Sequence, residues 1–328
     1  MTMRALPAVA IAVLGMGCST SPTGEASPDA GVPSDAASEA AMLDAGDGAA
    51  PGDASACAAT RTRDIWLWGD TVQKSPSERT AFFTFAVAHA VRTVYAESEA
   101  LLDADPASPA LAAFIAEAKT HCIDVELLFG RPSWALAAEH ARPVALTQAA
   151  VTFTNGLVGA RPVGVHFDVE PYLVPAWTTD QALVAGQYVD LLGELRAALG
   201  ASPLRLVVDI AFWFETVPLT RNAATHPLDE WVLDAVDVIT LMDYRDTAPA
   251  ILAGASQEMA YAGTHGKRVV IGVETMCGLS DGPTVTFCEE GQKTMDTTLA
   301  AVAAQYGAAP AFGGFAVHHY VSWKALGP

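Results

Sequence analysis

The chain has 328 residues, 51% of them hydrophobic, and its 37 acidic and 18 basic side chains give a net charge of −19 at pH 7. An acidic excess of this size disfavours nucleic acid and anionic lipid as partners, because both are negatively charged. The sequence contains no dinucleotide or phosphate-loop fingerprint, so it predicts no nucleotide partner and no cofactor.

The first segment has the pattern of a bacterial export signal. Arg4 precedes an apolar run, and Leu14-Gly-Met-Gly-Cys18 resembles the lipobox of bacterial lipoproteins. Residues 1–17 are therefore predicted to be a lipoprotein signal peptide with Cys18 as the lipidated residue. The mature chain is predicted to be exported and lipid-anchored to a bacterial membrane, and Ser19 favours the outer membrane by resemblance to other lipoproteins. The alternative is an ordinary signal peptide with an incidental Cys18.

Residues 18–56 differ in composition from the rest of the chain. After Cys18 they contain no aromatic residue, no Lys and no Arg, and they include seven acids among Ala, Ser, Gly and Pro. Such a segment cannot bury enough apolar surface to offset its ordering entropy, so a disordered tether is predicted. Residues 57–328 remain as one domain. Without the seven acids and Arg4, 30 acids and 17 bases are left, and no apolar run in this part is long enough to span a membrane.

Eight short segments of the domain are rich in Val, Ile, Leu and aromatic residues, which is typical of parallel strands covered on both faces. They are residues 64–69, 92–97, 124–129, 163–170, 206–212, 237–244, 268–274 and 312–320. Helical patterns lie between them, most clearly at 77–91, 109–120, 144–157, 179–199 and 289–306. The helix at 179–199 is predicted to be capped by Thr178 or Thr179. Eight strand-and-helix repeats predict an α/β fold, a (β/α)8 TIM barrel, rather than a doubly wound open sheet.

Four cysteines remain when Cys18 is set aside, an even number in an oxidising compartment. Cys277 and Cys288 enclose a short loop rich in Gly, Ser and Asp, and they make the most natural disulfide. Cys57 is then predicted to pair with Cys122. The alternative is buried free thiols.

Polar and aromatic side chains are concentrated at the C-terminal ends of the predicted strands, where active sites of such barrels lie. His166, Asp168 and Glu170 alternate along one strand, so their side chains are predicted to point the same way. Burying three ionisable groups without partners costs free energy. This column of three side chains, His166, Asp168 and Glu170, is therefore predicted to point to the open mouth of the barrel.

Three strand ends resemble motifs of the family 18 glycoside hydrolases, the chitinase-like barrels. Val163-Gly-Val-His-Phe-Asp-Val-Glu170 resembles D-G-x-D-x-D-x-E, with Val163 and His166 in place of the first two acids. Leu241-Met-Asp-Tyr-Arg245 resembles a motif that includes M-x-Y-D, with Arg in place of the Asp. Gly313-Gly-Phe-Ala-Val-His318 resembles G-G-x-x-x-W, with His in place of the Trp.

The resemblance implies a glycoside hydrolase acting on a glycan. In such an enzyme Glu170 is the general acid, Asp168 supports it, and Tyr244 assists the acetamido group of the substrate, which is the nucleophile. Two close carboxylates cannot both ionise freely, so one is held protonated near neutral pH. The residues predicted to bind substrate are Trp68, Glu97, Arg131, His166, Asp209, Trp213, Met242, Asp243, Arg245, Asp246, His318 and Tyr320.

A second glycosidase interpretation uses the same fold with Glu274 as nucleophile. Glu170-Pro171 ends the fourth strand and Glu274 ends the seventh, which resembles the large clan of barrels with its acid/base and nucleophile at these two places. A retaining enzyme needs the two carboxyls roughly 5 Å apart. That clan normally has Asn before the acid, where this chain has Val169, and three strands rather than two agree with the chitinase-like motifs.

Other interpretations of the same residues need no hydrolysis. The chain is alternatively a carbohydrate-binding lipoprotein on the same fold, with Trp68, Trp134 and Trp213 as stacking platforms. Asp168 and Glu170 are alternatively a structural ion-pair column with Arg131 or Arg245. No metal site is predicted, because no Cys or His pair has ligand spacing.

Overall fold

The computed structural model describes residues 62–280 and 282–328. Several predictions lie outside these residues: the signal peptide 1–17, lipidation of Cys18, the tether 18–56 and the Cys57 half of the disulfide with Cys122. They stay predictions. Within the part of the chain described, no helix is long and apolar enough to cross a membrane.

Eight parallel strands close into a barrel in chain order. They are β1 (Arg63–Leu67), β2 (Val91–Glu97), β3 (Asp124–Phe129), β4 (Gly164–Phe167), β5 (Arg205–Ala211), β6 (Val238–Met242), β7 (Arg268–Glu274) and β8 (Phe312–His318). Each strand pairs with the next, and β8 pairs in parallel with β1 to close the sheet. This confirms the predicted (β/α)8 barrel.

Helices lie between the strands and cover the barrel. They are α1 (Thr71–Lys74), α2 (Pro76–Ala88), α3 (Glu99–Ala104), α4 (Pro109–Thr120), α5 (Ala141–Gly156), α6 (Gln181–Leu199), α7 (Leu228–Ala235), α8 (Ala248–Gly254), α9 (Ser256–His265), α10 (Gly291–Tyr306) and α11 (Tyr320–Ala325). An antiparallel hairpin of Pro218–Arg221 and Ala224–Pro227 is inserted between β5 and α7.

The start of α6 differs from the prediction. The cap is Asp180, whose carboxylate accepts a hydrogen bond from the Leu183 N–H at 3.2 Å. Thr178 and Thr179 instead donate their hydroxyls to carbonyls of a preceding 3-10 turn, at Pro175 and Ala176. Because the two threonine hydroxyls are bonded within this turn, they do not cap α6. The helix therefore begins at Gln181, two residues later than predicted.

Apolar side chains fill the centre of the barrel. Trp66, Tyr95, Leu128, Val207 and Val270 form the middle of this inner cluster, and all are almost fully buried. Gly272 of β7 makes room for Trp66, because a Cβ at this position would lie 3.1 Å from the indole ring and 2.9 Å from a β6 carbonyl oxygen. A second, larger apolar layer lies between the strands and the helices.

The loop after β7 is closed by a disulfide between Cys277 and Cys288, with the two Cα atoms 5.2 Å apart. This confirms the predicted pair. The loop also returns to the barrel at Phe287, whose N–H donates to the Glu274 carbonyl at 2.9 Å. The disulfide loop is therefore anchored at the C-terminal end of β7.

Candidate active site

Five of the predicted site residues meet at the C-terminal mouth of the barrel. Asp168 and Glu170 follow β4, Tyr244 follows β6, and Glu274 and His318 are the last residues of β7 and β8. Their charges act on one another: burial, followed by the charges of Glu274, Asp168 and Glu170 among others, raises the pKa of Tyr244, and the charge of Glu170 helps to raise the pKa of Asp168. The mouth is therefore one cluster of ionisable groups.

Glu170 is 6% exposed and accepts a hydrogen bond from the Tyr172 hydroxyl. Burial raises the pKa of Glu170 to about 7, although the Tyr172 hydrogen bond acts to lower it. Sequence reasoning missed Tyr172. The sequence feature that could have identified it is its position two residues after the predicted acid, in the Pro171–Leu173 turn.

Asp168 has a buried carboxylate oxygen, Oδ1, with no hydrogen-bond partner among the described residues. Burial, followed by the charges of Glu170 and Asp209, raises the pKa of Asp168 well above its ordinary value. Gly130, at the end of β3, lets that loop approach Asp168, since a Cβ at 130 would overlap the Asp168 backbone. The Asp168 side chain is thus held against the mouth with one oxygen unsatisfied.

Glu274 and His318 form a hydrogen-bonded chain with Trp68. His318 donates Nδ1–H to Glu274 Oε2 at 2.8 Å, and the Trp68 indole N–H donates to His318 Nε2 at 3.1 Å. Glu274 Oε1 accepts two backbone N–H groups, from Thr275 and Met276, at 2.7 and 2.8 Å. Burial acts to raise the pKa of Glu274, but its interaction with His318 and these hydrogen bonds lower it. Glu274 is therefore an ionised carboxylate with both oxygens occupied.

Four further predicted residues lie around the mouth and near Tyr244: Met242, Trp213, Glu97 and Asp246. Tyr244 is 5% exposed, with its ring 6.0 Å from that of His318, and it packs with the buried Met242. Trp213 is half-buried, and its ring lies 5.1 Å from that of Tyr172. Glu97 is half-buried and accepts a hydrogen bond from the Gly69 N–H. Asp246 lies half-exposed beyond the end of β6.

His166 and Asp209 lie deeper than predicted, inside the barrel. His166 Nδ1 bonds to Glu126 Oε2 at 2.9 Å, and Nε2 bonds to Asp209 Oδ1 at 2.8 Å. The Trp66 indole also donates to Asp209, at 3.0 Å. Both residues are almost fully buried, which corrects their prediction as substrate-binding groups. Burial acts to lower the pKa of His166, but the two carboxylates raise it to about 10, so the ring is an imidazolium between two acids.

The two arginines predicted near the mouth bind other groups. Arg131 is exposed and pairs with Glu99 of α3 at 3.2 Å. Arg245 lies over the Phe212 ring at 4.2 Å and donates to the Tyr244 carbonyl at 2.7 Å. Neither forms an ion pair with Asp168 or Glu170 in the described part of the chain. The ion-pair interpretation of that column is therefore wrong.

Two aromatic residues also differ from the prediction. Tyr320 packs outside the barrel, with its ring 5.0 Å from that of Phe82 on α2, so it does not line the mouth. Trp134 is 2% exposed and packs against Phe167, which excludes it as a stacking platform. Both rings take part in the layer between strands and helices. Their aromatic character reflects packing rather than binding.

Asp243 points away from the mouth, towards α8. It is fully buried, and its carboxylate occupies the space that a Cβ on Gly254 would need. This corrects its prediction as a substrate-binding residue. Glu258 and Asp229 are also fully buried nearby, and carboxylate oxygens of all three lack hydrogen-bond partners among the described residues. Burial raises the pKa values of Asp243 to about 8, Glu258 to about 9 and Asp229 to about 6.

Replacing Glu258 with Gln is expected to raise the free energy of unfolding relative to the wild type, and this difference should grow as the pH rises from 5 to 9. The folded state holds a proton that the unfolded Glu side chain releases above pH 4.5, so the wild-type stability falls over this range. The limit is about 1.4 kcal/mol per pH unit for one group. Urea unfolding at several pH values measures the difference. Glu139→Gln, at an exposed position, should leave the wild-type pH dependence unchanged.

Among residues 62–280 and 282–328, no three His, Cys, Asp or Glu side chains are grouped so that they could hold a metal ion. His319 does not join such a group. Burial and the neighbouring His318 lower its pKa to about 4, and its side chain instead accepts a hydrogen bond from the Val321 N–H at the start of α11. The mouth is therefore an arrangement of acids, aromatic rings and one histidine.

No family model and no curated protein matches the chain. A fungal β-1,4-galactanase structure is similar over 80% of this chain and 89% of its own, with 12% identity and a TM-score of 0.52. A GH18 chitinase from Pseudoalteromonas aurantia matches over 80% and 94% with 14% identity and a TM-score of 0.49. A class V chitinase mutant from Cycas revoluta, in complex with (GlcNAc)3, matches over 78% and 94% with 15% identity and a TM-score of 0.46.

The chain shares the barrel fold of the galactanase. Similarity at this identity concerns the fold alone, so the chemistry has to be argued from the side chains at the mouth.

Proposed function

We propose that the protein is a glycoside hydrolase in which Glu170 is the general acid. The observation that carries the proposal is the burial of Glu170 at the barrel mouth beside Asp168, with its pKa raised to about 7. A carboxyl group with this pKa holds its proton in part of the population at neutral pH and can donate it to a leaving oxygen. Two carboxyls in unlike environments are the usual equipment of such enzymes.

The proposed substrate is a glycan with a 2-acetamido group. Glu170 gives its proton to the glycosidic oxygen while the bond from that oxygen to C1 breaks and the acetamido oxygen bonds to C1. Asp168, with an unsatisfied oxygen, accepts the acetamido N–H, and the Tyr244 hydroxyl orients the same group. Water then attacks C1 while the bond from C1 to the acetamido oxygen breaks, which restores the acetamido group, and Glu170 takes up the water's proton.

The acetamido route is preferred over a retaining mechanism with Glu274 as nucleophile. Both oxygens of Glu274 already accept hydrogen bonds, from two backbone N–H groups and from His318. A nucleophilic attack would have to weaken at least one of these bonds. Glu274 is better suited to orient His318, which in turn holds Trp68 at the mouth.

The second candidate function is glycan binding without turnover. Trp213 and Trp68 are half-buried at the mouth, where an aromatic face can stack on a sugar ring. His166 is committed to the barrel interior and Arg245 to Phe212, so neither replaces the acid that stands at its position in the chitinase-like motifs. A glycan-binding protein would need the aromatic rings at the mouth but would not need Glu170 as a proton donor.

Export and a lipid anchor are part of the proposal and are supported by the sequence of residues 1–56 alone. Intact-mass measurement on protein extracted from membranes tests them. A lipid-modified N-terminus at Cys18 is expected, whereas an unmodified N-terminus would exclude the anchor.

Hydrolysis of matched glycosides with and without the 2-acetamido group tests the function. Turnover confined to the acetamido sugars is expected, because only these carry the proposed nucleophile. Equal turnover of both kinds would exclude the acetamido route and favour Glu274. Binding of a sugar without any turnover would favour the second candidate.

Replacing Tyr172 with Phe is expected to move the alkaline limb of the pH–rate profile to higher pH. The Tyr172 hydroxyl donates to Glu170 and acts to lower its pKa, so its removal raises the pH at which the acid loses its proton. The profile of kcat/KM against pH measures this. Tyr261→Phe, which removes a hydroxyl bonded to Asp234 on the outer helices, should leave the limb in place.

A further inference from the structure

A second cavity, of about 160 Å³, opens at the N-terminal end of the barrel, opposite the candidate active site. It is large enough to hold several water molecules or a small ion. Its ionisable lining residues are Asp64, Arg92, Asp124, Glu126, Arg205 and Arg268. Three guanidinium groups therefore meet at one end of the barrel.

The two most buried acids of this cavity are already neutralised. Arg92 Nη2 donates to both oxygens of Asp64, at 2.9 and 2.7 Å, and the Tyr95 hydroxyl donates to the same carboxylate at 3.0 Å. Arg205 donates to Glu126 at 3.1 Å, and the other Glu126 oxygen is bonded to His166. These carboxylates have little capacity left for a third cation.

Arg268, the first residue of β7, is exposed and lines the same cavity as the two paired arginines. Among the described residues it forms no direct ion pair or side-chain hydrogen bond. Partial burial and the charges of Arg92 and Arg205 lower its pKa, although the charge of Asp64 acts to raise it, so the three guanidinium groups are close enough to repel one another. Asp124 is the remaining acid, on β3 at the opposite side of the barrel from β7.

We propose that this cavity binds a small oxyanion, of the phosphate or sulfate class, with Arg268 as the main ligand and Arg92 and Arg205 as supporting donors. Each guanidinium has five N–H donors, and the ion pairs with Asp64 and Glu126 use only some of them. An oxyanion accepts several such donors at once. The site is separate from the mouth and does not depend on the proposed hydrolysis.

Thermal unfolding in phosphate and in chloride at equal ionic strength tests the proposal. For the wild type, the unfolding midpoint should rise with phosphate concentration beyond the rise in chloride, because a ligand bound to the folded state stabilises it. Arg268→Gln should lose this additional rise. In chloride the same variant should unfold close to the wild-type midpoint, because the lost charge is exposed, forms no direct ion pair among the described residues, and is attracted by Asp64 as well as repelled by two arginines.

Two further variants separate specific binding from a general salt effect. Asp124→Asn removes the unpaired acid of the cavity and should make the response to phosphate stronger. Lys293→Gln makes the same charge change as Arg268→Gln at an exposed position on α10 and should respond like the wild type. A phosphate response that is equal in the wild type and in Arg268→Gln would overturn the proposal. Loss of the response in Lys293→Gln would overturn it as well.

Discussion

Replacing Glu170 with Gln is expected to lower the rate of glycoside hydrolysis by about 10²–10⁴-fold, the usual contribution of a positioned general acid. The amide has nearly the shape of the carboxyl and can still accept the Tyr172 hydroxyl, but it has no proton to give to the leaving oxygen. Sugar binding should change little. Initial rates on an acetamido glycoside, together with binding of a non-hydrolysed sugar, measure the two effects separately.

Glu274→Gln is the comparison for this experiment. It replaces the carboxylate that accepts the His318 Nδ1–H. Its effect should therefore come through the position of His318 and Trp68 rather than through proton transfer. We expect a smaller loss of rate and an alkaline limb that stays where it is. A loss in Glu274→Gln as large as in Glu170→Gln would contradict the acetamido route. A Glu170→Gln variant with wild-type rates would contradict the proposed function itself.

Replacing His166 with Leu is expected to destabilise the fold by about 3–5 kcal/mol, the usual cost of removing one partner from a buried ion pair. His166 lies between Glu126 and Asp209, and its removal leaves one bond of each carboxylate unmade inside the barrel. Arg205 and Trp66 each still hold one of these acids, but neither can replace the central charge. Urea unfolding measures the loss.

The loss in His166→Leu should depend on pH in a defined direction. The pKa of His166 is raised from 6.5 to about 10 in the folded state, so its stabilising charge is fully present below pH 6.5 and is lost as the pH rises through 10. The difference between wild type and variant should therefore be larger at pH 6 than at pH 10. His226→Leu, on the exposed hairpin, removes only a surface ion pair with Glu230 and should change stability by no more than about 1 kcal/mol. Equal losses in the two variants would contradict a buried imidazolium.

The sequence predicted the barrel well because the strands are continuous apolar runs with polar ends. For residues 124–129 and 268–274 the predicted and observed bounds agree. The strand at 163–170 was predicted too long. Pairing stops after Phe167, and the chain turns at Pro171, which has no N–H to give to a neighbouring strand.

The site was harder to predict because alternation along a strand indicates which way a side chain points but not how deep in the barrel it lies. The order of His166, Asp168 and Glu170 indicated that all three point inwards. It did not indicate that His166 meets Glu126 and Asp209, each about 40 residues away in the chain. Such partners are set by the stagger between strands, which a single sequence does not contain. The prediction for Asp243 was wrong for a related reason. Asp243 follows the last residue of β6 and its N–H donates to the Leu241 carbonyl, so the alternation of the strand no longer sets the direction of its side chain.

The barrel has two unlike ends, and this determines how the molecule can be handled. Chain that precedes Thr62 joins at the end where β1 begins, while the candidate mouth opens at the other end, beyond the seven residues of a strand such as β7. At about 3.3 Å per residue this separates the two by roughly 20 Å. Immobilising the barrel at Thr62 would therefore leave the mouth facing the solution, and a fusion partner joined directly at Thr62 would lie at the end opposite the mouth.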